Sequence, residues 1–156
     1  MRALWLVLVL VVAGCSADVA GAPAKDDSPK VGAVSLVVPI ELRPVTEDGA
    51  TVLKDPTTGE SLKLADPMMT IEELDGAEIS NATGAWALTL DLNSADTKTF
   101  ADWTSEHTNE RLAIVIDDEV VIAPTIQQAI TAGEVQITGD YTRDDVEELL
   151  DKVTGR

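Results

Sequence analysis

From residue 34 onward the apolar residues of this chain arrive in short runs bounded by turn-forming residues, and that rhythm restricts the fold more than any other feature. Runs at 34–43, 77–81, 86–92, 111–116, 119–123 and 134–138 have strand length and are rich in branched side chains. Within 86–92, Trp86, Leu88, Leu90 and Leu92 alternate with Ala87, Thr89 and Asp91, a pattern that buries one face of a sheet. Asp117-Asp118 divides two of the runs as a hairpin turn would. Pro39 has no N–H to give to a ladder, so its strand is expected to lie at an edge or to carry a bulge. Between residues 45 and 71 the pairs Asp48-Gly49, Asp55-Pro56 and Thr58-Gly59 mark turns, with short hairpin arms at 51–53 and 61–64.

Two segments carry helical signals instead. Ser94 is placed to cap a helix whose first turn holds Asp96, an anion at the positive end of the dipole, and whose apolar face uses Phe100 and Trp103. Thr142-Arg143-Asp144-Asp145 has the form of a capping box with Asp in place of the usual Glu. Val146, Leu149, Leu150 and Val153 then fall at i, i+3, i+4 and i+7, a single apolar stripe. The predicted class is α+β, an antiparallel-rich sheet with two helices packed on one face.

The N-terminus is of another kind. Arg2, an apolar stretch at 3–12 and the small residues before Cys15 form the three parts of an export signal, too short to span a bilayer, which takes about 20 apolar residues. Val12-Ala13-Gly14-Cys15 resembles the lipobox of bacterial lipoproteins, which implies a diacylglyceryl group on the thiol of Cys15 and an anchor on the extracytoplasmic face of the cell membrane. Residues 15–33 are rich in Ala, Gly, Pro and Asp and cannot bury enough surface to offset ordering, so they are expected to form a flexible tether. The reach of such a linker is on the order of 20–25 Å. The expected organisation is a signal at 1–14, a tether at 15–33 and a single domain at 34–156. With one cysteine in the chain, that domain has no internal disulfide and must rest on its core.

Charge narrows the function. The chain carries a formal charge of −17, which becomes −18 once residues 1–14, with Arg2 and no acid, are removed. Such a surface repels phosphates, and nucleic acid is excluded as a partner. The single histidine, His107, falls at the expected end of the first helix, where capping or solvation accounts for it. No nucleophile elbow, Ser-x-x-Lys or phosphate-loop pattern occurs, so no enzyme and no cofactor is expected. The acidic groups Asp117-Asp118-Glu119, Asp91-x-Asn93-x-x-Asp96 and Asp144-Asp145 lack the ligand pattern and glycine of a calcium loop and read as turns and helix starts; no metal site is assigned.

From Arg111 the order Ile116-Asp117, Val120, Ala123-Pro124, Ile126, Ile130, Gly133, Gln136-Ile137-Thr138-Gly139, Tyr141 and Thr142 resembles the head subdomain of SecD, the extracytoplasmic part of the SecDF export accessory complex. Upstream, Glu41-Leu42-Arg43-Pro44-Val45 and Gly84-Ala85-Trp86 with Leu88 and Leu90 resemble further strands of that family, including actinobacterial members. Asp118 and Ala132 stand where the family has turn glycines, which questions the geometry at Ala132, while Gly133 and Gly139 are placed to supply positive φ. The family continues into membrane helices that carry its proton-driven movement, so the resemblance transfers only the extracytoplasmic task. It implies a non-catalytic module that contacts exported polypeptides or Sec translocon components. Strand addition near Pro39 or along Val121, Pro124, Thr125 and Ile126 is the expected mode. The alternative is an envelope lipoprotein reusing the fold as a structural or regulatory partner of another membrane complex.

Overall fold

The computed structural model describes residues 29–81 and 84–156. Cys15, the signal at 1–14, most of the expected tether, and Ala82 and Thr83 lie outside the described residues. Among the described residues the chain runs through β1 (Lys30–Val31), β2 (Val34–Pro44), β3 (Thr51–Lys54), β4 (Ser61–Leu64), β5 (Met69–Ser80) and β6 (Ala87–Leu92). There follow α1 (Ser94–Glu106), β7 (Leu112–Ile116), β8 (Glu119–Ile122), β9 (Glu134–Thr138) and α2 (Arg143–Thr154). The main sheet has the order β8-β7-β2-β5-β6-β9, with β1 also paired to β5, and every pairing is antiparallel. β3 and β4 form a separate hairpin.

The predicted class is found. Phe100 of α1 and Val146, Leu150 and Val153 of α2 belong to one core cluster with Ile40, Ile71, Ile79, Leu88, Leu90 and Ile137 of the sheet, so both helices cover the same face. A smaller cluster of Leu62, Leu64, Ala113, Val115 and Val120 sits where the β3–β4 hairpin covers the opposite face of β7 and β8. No helix among the described residues is long and apolar enough to cross a membrane.

Several expectations shift in detail. Lys30 and Val31 pair with Glu78 and Ala77, so the end of the range 15–33 read as tether contributes a strand to the sheet. Pro39 sits in a bulge, since the β2–β5 register shifts between Ser35 and Ile40 while β2 itself is an interior strand. Asn93, not Ser94, caps α1: its side-chain oxygen accepts from the amides of Ala95 and Asp96, whose carboxylate in turn accepts from Asn93 Nδ2 at 2.8 Å. Both amide groups of Asn93 are thereby used. The capping box at α2 is present as expected, with Thr142 Oγ1 accepting from the Asp145 amide and Asp145 accepting from the Thr142 amide.

Turn chemistry explains the two departures from glycine. Asp117 and Asp118 have φ of 55° and 61°, a left-handed pair that matches the twist of a tight hairpin and that Asp tolerates better than most residues. Ala132 is not asked for positive φ; Gly133 takes that conformation alone, at 74°. Gly139 departs from its expected role, since its φ is not positive and a side chain there would meet the Tyr141 ring at 3.0 Å.

Candidate binding edge

The two ends of the sheet, β8 and β9, curl toward each other and touch. Tyr141, just after β9, donates from its hydroxyl to the Val121 carbonyl at 2.7 Å and holds the ends together on that side. Burial pushes the Tyr141 phenol above its ordinary value, as do the Asp145 and Asp55 charges, so the group remains a donor throughout the neutral range. On the other side an arm leaves β8 at Pro124 and reaches β9 at Glu134. Its backbone turns inward: Leu112 N donates to Pro124 O, Ile126 N to Glu110 O, and Asn109 N to Ile126 O. Ile130 N donates to the buried Thr104 hydroxyl of α1 at 2.9 Å.

Between this arm and β9 lies a cleft of about 280 Å³. Its walls are Phe100 of α1, Leu42, Leu112 and Ile114 of the sheet, Ile126 and Ile130 of the arm, and Val135 of β9. Exposed Gln127, Gln128, Glu134 and Gln136 form the rim. A void of ~150 Å³ takes a benzene-sized group, so this one has room for about two aliphatic side chains. One wall is also a strand edge. Leu92 N donates to Gly133 O, and Leu90 pairs with Val135 in the same register. By the alternation of an antiparallel ladder, residues 133, 135 and 137 bond inward to β6 while Glu134 and Gln136 turn their backbone groups outward, to the cleft. The site thus joins apolar surface to unpaired main-chain donors and acceptors.

The predicted edge residues are in one run but are not equally available. Val121 and Ile126 are buried, and the Val121 carbonyl is occupied by Tyr141. Pro124 and Thr125 are exposed and line the cleft with Ile126. The sequence offered no pointer to β9 as the second edge, because strand-length periodicity does not report strand order.

Behind the arm, Arg111 fastens the β3–β4 hairpin to the end of β8. Its Nη2 donates to Asp55 Oδ2 at 2.7 Å, its Nη1 reaches Glu60 at 3.4 Å, and its Nε donates to Ala123 O at 3.3 Å. Asp55 is only 4% exposed. Burial alone would raise its pKa, but the amides of Thr57 and Thr58 and the Arg111 guanidinium together outweigh it and hold the carboxyl below its ordinary value. The other acidic clusters have local duties. Lys152 of α2 pairs with Asp117 at 3.0 Å and Glu119 at 3.6 Å across the β7–β8 turn, and Asp145 is used in the capping box. His107 ends α1, with Nδ1 2.8 Å from Trp103 O and its ring stacked on Trp103 at 4.0 Å. Among the described residues no group of three or more His, Cys, Asp or Glu is placed to hold a metal ion.

Comparison with known proteins agrees with this architecture. The family model for the SecDF P1 head subdomain matches residues 50–152. The chain is 33% identical over 96 residues to protein translocase subunit SecD of Acetobacter pasteurianus, covering 57% of this chain and 18% of that protein. It is 29% identical over 113 residues to SecD of Magnetococcus marinus, covering 67% of this chain and 22% of that one. A solved structure of SecDF, described as a membrane component that enhances protein export, superposes with a TM-score of 0.58 at 23% identity, over 70% of this chain and 59% of that one. A second, of SecDF in a super-membrane-facing form, has a TM-score of 0.57 at 23% identity, over 69% of this chain and 17% of that one. The chain therefore spans about a fifth of the length of these SecD relatives, and the likeness to the solved structures is one of fold. With more than half of its residues matched by the family model and a sheet that follows the same fold, this chain belongs to the SecDF P1 head family.

Proposed function

We propose that this protein is a lipid-tethered extracytoplasmic module that holds short extended segments of exported polypeptide, acting without catalysis beside the Sec translocon. The observation that carries the reading is the cleft beside β9, where apolar walls meet main-chain groups that no neighbouring strand uses. A folded protein has buried its apolar side chains and paired its backbone; a chain in transit has done neither, and this site offers both at once. Acyl chains on Cys15 would keep the domain at the membrane, where such segments emerge.

Photoactivatable residues at Thr125 and Gln128, on the cleft, and at Glu147, on α2, test this in living cells. Adducts with a secreted chain or a translocon subunit are expected from the first two positions and not from the third. Absence of such adducts at the cleft positions sinks the reading. For the anchor, Cys15→Ala should move the protein from the membrane to the soluble fraction; a variant that still incorporates labelled fatty acid shows the assignment of Cys15 to be wrong.

A further inference from the structure

The arm that walls the cleft is tied down firmly at its ends and sparingly between them. At one end the Ile126 amide donates to Glu110 O at 2.9 Å and the Ile126 carbonyl accepts from Asn109 N at 2.7 Å. At the other end Gly133 O accepts from Leu92 N at 2.8 Å, and Gly133 approaches α1 so closely that a Cβ there would meet the Thr97 side chain. Among the described residues, the stretch 127–132 makes a single hydrogen bond, from Ile130 N to Thr104 Oγ1 at 2.9 Å. Ile130 is the part of that stretch whose side chain forms a wall of the cleft.

Thr104 is suited to this bond by its place on α1. It follows Phe100, another cleft wall, by four residues and so lies on the same buried face of the helix. Its hydroxyl donates to Ala101 O at 3.3 Å, which leaves lone pairs on the oxygen for the Ile130 amide. Thr104 is fully buried, so no water stands ready to replace it as acceptor. Without that oxygen the amide has to reach solvent to be satisfied, and the arm moves with it. Thr104 does not itself line the cleft and can act on an occupant only through Ile130.

We propose that Thr104 is the positioning residue of the cleft: its hydroxyl latches the arm to α1 and keeps the Ile130 wall in place before a segment arrives. This rests on the reading of the cleft as a polypeptide site and adds to it what holds that site ready. A segment entering a latched cleft does not have to order the arm, and the ordering it avoids appears as affinity.

The test uses the full chain in detergent, a fluorescent peptide of alternating Val and Thr followed by anisotropy, and amide hydrogen exchange followed by NMR. In the free wild type, after correction for intrinsic rates, the Ile130 amide is expected to exchange about tenfold or more slower than the amides of Gln127 and Gln128, which have no acceptor among the described residues. Thr104→Val keeps the shape and removes the acceptor; it should abolish that protection and weaken peptide binding about five- to tenfold, the scale of one hydrogen bond. Thr104→Ser keeps the hydroxyl and should bind within about twofold of the wild type. Val153→Ala, which removes buried methyl groups from α2 and reports destabilisation alone, should also bind as the wild type does. An Ile130 amide that exchanges freely in the wild type overturns the inference, whether or not Thr104→Val folds. So does a Thr104→Val protein with wild-type affinity, or an equal loss in Thr104→Ser or Val153→Ala, while the polypeptide site stands. If the wild type binds no peptide, the site itself is refuted.

Discussion

The helix-covered face of the sheet and the cleft at its end are built from the same kinds of side chain but differ in what covers them. Val146 and Val153 of α2 are fully buried and Leu150 is 2% exposed, because the stripe on that helix has a sheet to lie on. At the cleft, Ile126 and Val135 are also buried, yet they line an opening with Ile130, which is half-buried. One region spends its apolar surface on stability and the other keeps some in reserve. The difference predicts that substitutions at the first lower stability, and that substitutions at the second lower binding.

The largest expected effect is at Leu150. Leu150→Ala removes a buried side chain beneath α2 and should lower unfolding free energy by about 2–5 kcal/mol in chemical denaturation. A loss below 1 kcal/mol would mean that α2 is only loosely held and would blur the contrast.

Next comes the Arg111 clamp. Arg111→Ala leaves the Asp55 carboxylate buried with two amide donors and no countercharge, at a cost of about 2–3 kcal/mol. Arg111→Lys should recover only part of this, because an ammonium cannot reach Asp55, Glu60 and Ala123 O together. The sign of the pH dependence follows from a folded pKa below the ordinary 3.8. The stabilisation is complete above the unfolded value and is lost as pH falls below it through the folded one. Denaturation curves from pH 5 downward should therefore steepen in the wild type relative to Asp55→Asn; parallel curves would show that Asp55 is not held as its contacts indicate.

A smaller effect is expected at the start of α2. Thr142→Ala breaks the capping box and should cost about 1 kcal/mol in thermal or chemical unfolding, without altering peptide binding.

How much of this was legible in the sequence depended on distance along the chain. The β3–β4 hairpin, the β7–β8 hairpin and the stripe of α2 are local patterns, and each is where period and turn chemistry placed it. The first half of β5 was missed because Glu72, Glu73 and Asp75 have low strand propensity; Met69, Ile71 and Leu74 become a core face only once β2 lies alongside. Asn93 displaced Ser94 as cap by one residue, within the usual uncertainty of helix ends. The cleft and the clamp left no local trace. Phe100, Ile126 and Val135 come from a helix, an arm and a strand, and Arg111 meets Asp55 across 56 positions. The edge anticipated at Val121 fails as a free edge for the same reason, since Tyr141 reaches it from 20 residues away.

The contrast between the two regions is tested most directly with a permanently unfolded secreted protein as ligand. Its affinity is measured for the wild type, for Ile130→Ser in the cleft and for Leu149→Ser on α2, two half-buried apolar positions. The cleft variant is expected to lose about tenfold or more in affinity, the scale of one buried aliphatic contact, while the α2 variant binds as the wild type does. Equal affinities for all three proteins, or equal loss in both variants, would contradict the assignment of the cleft as the binding site.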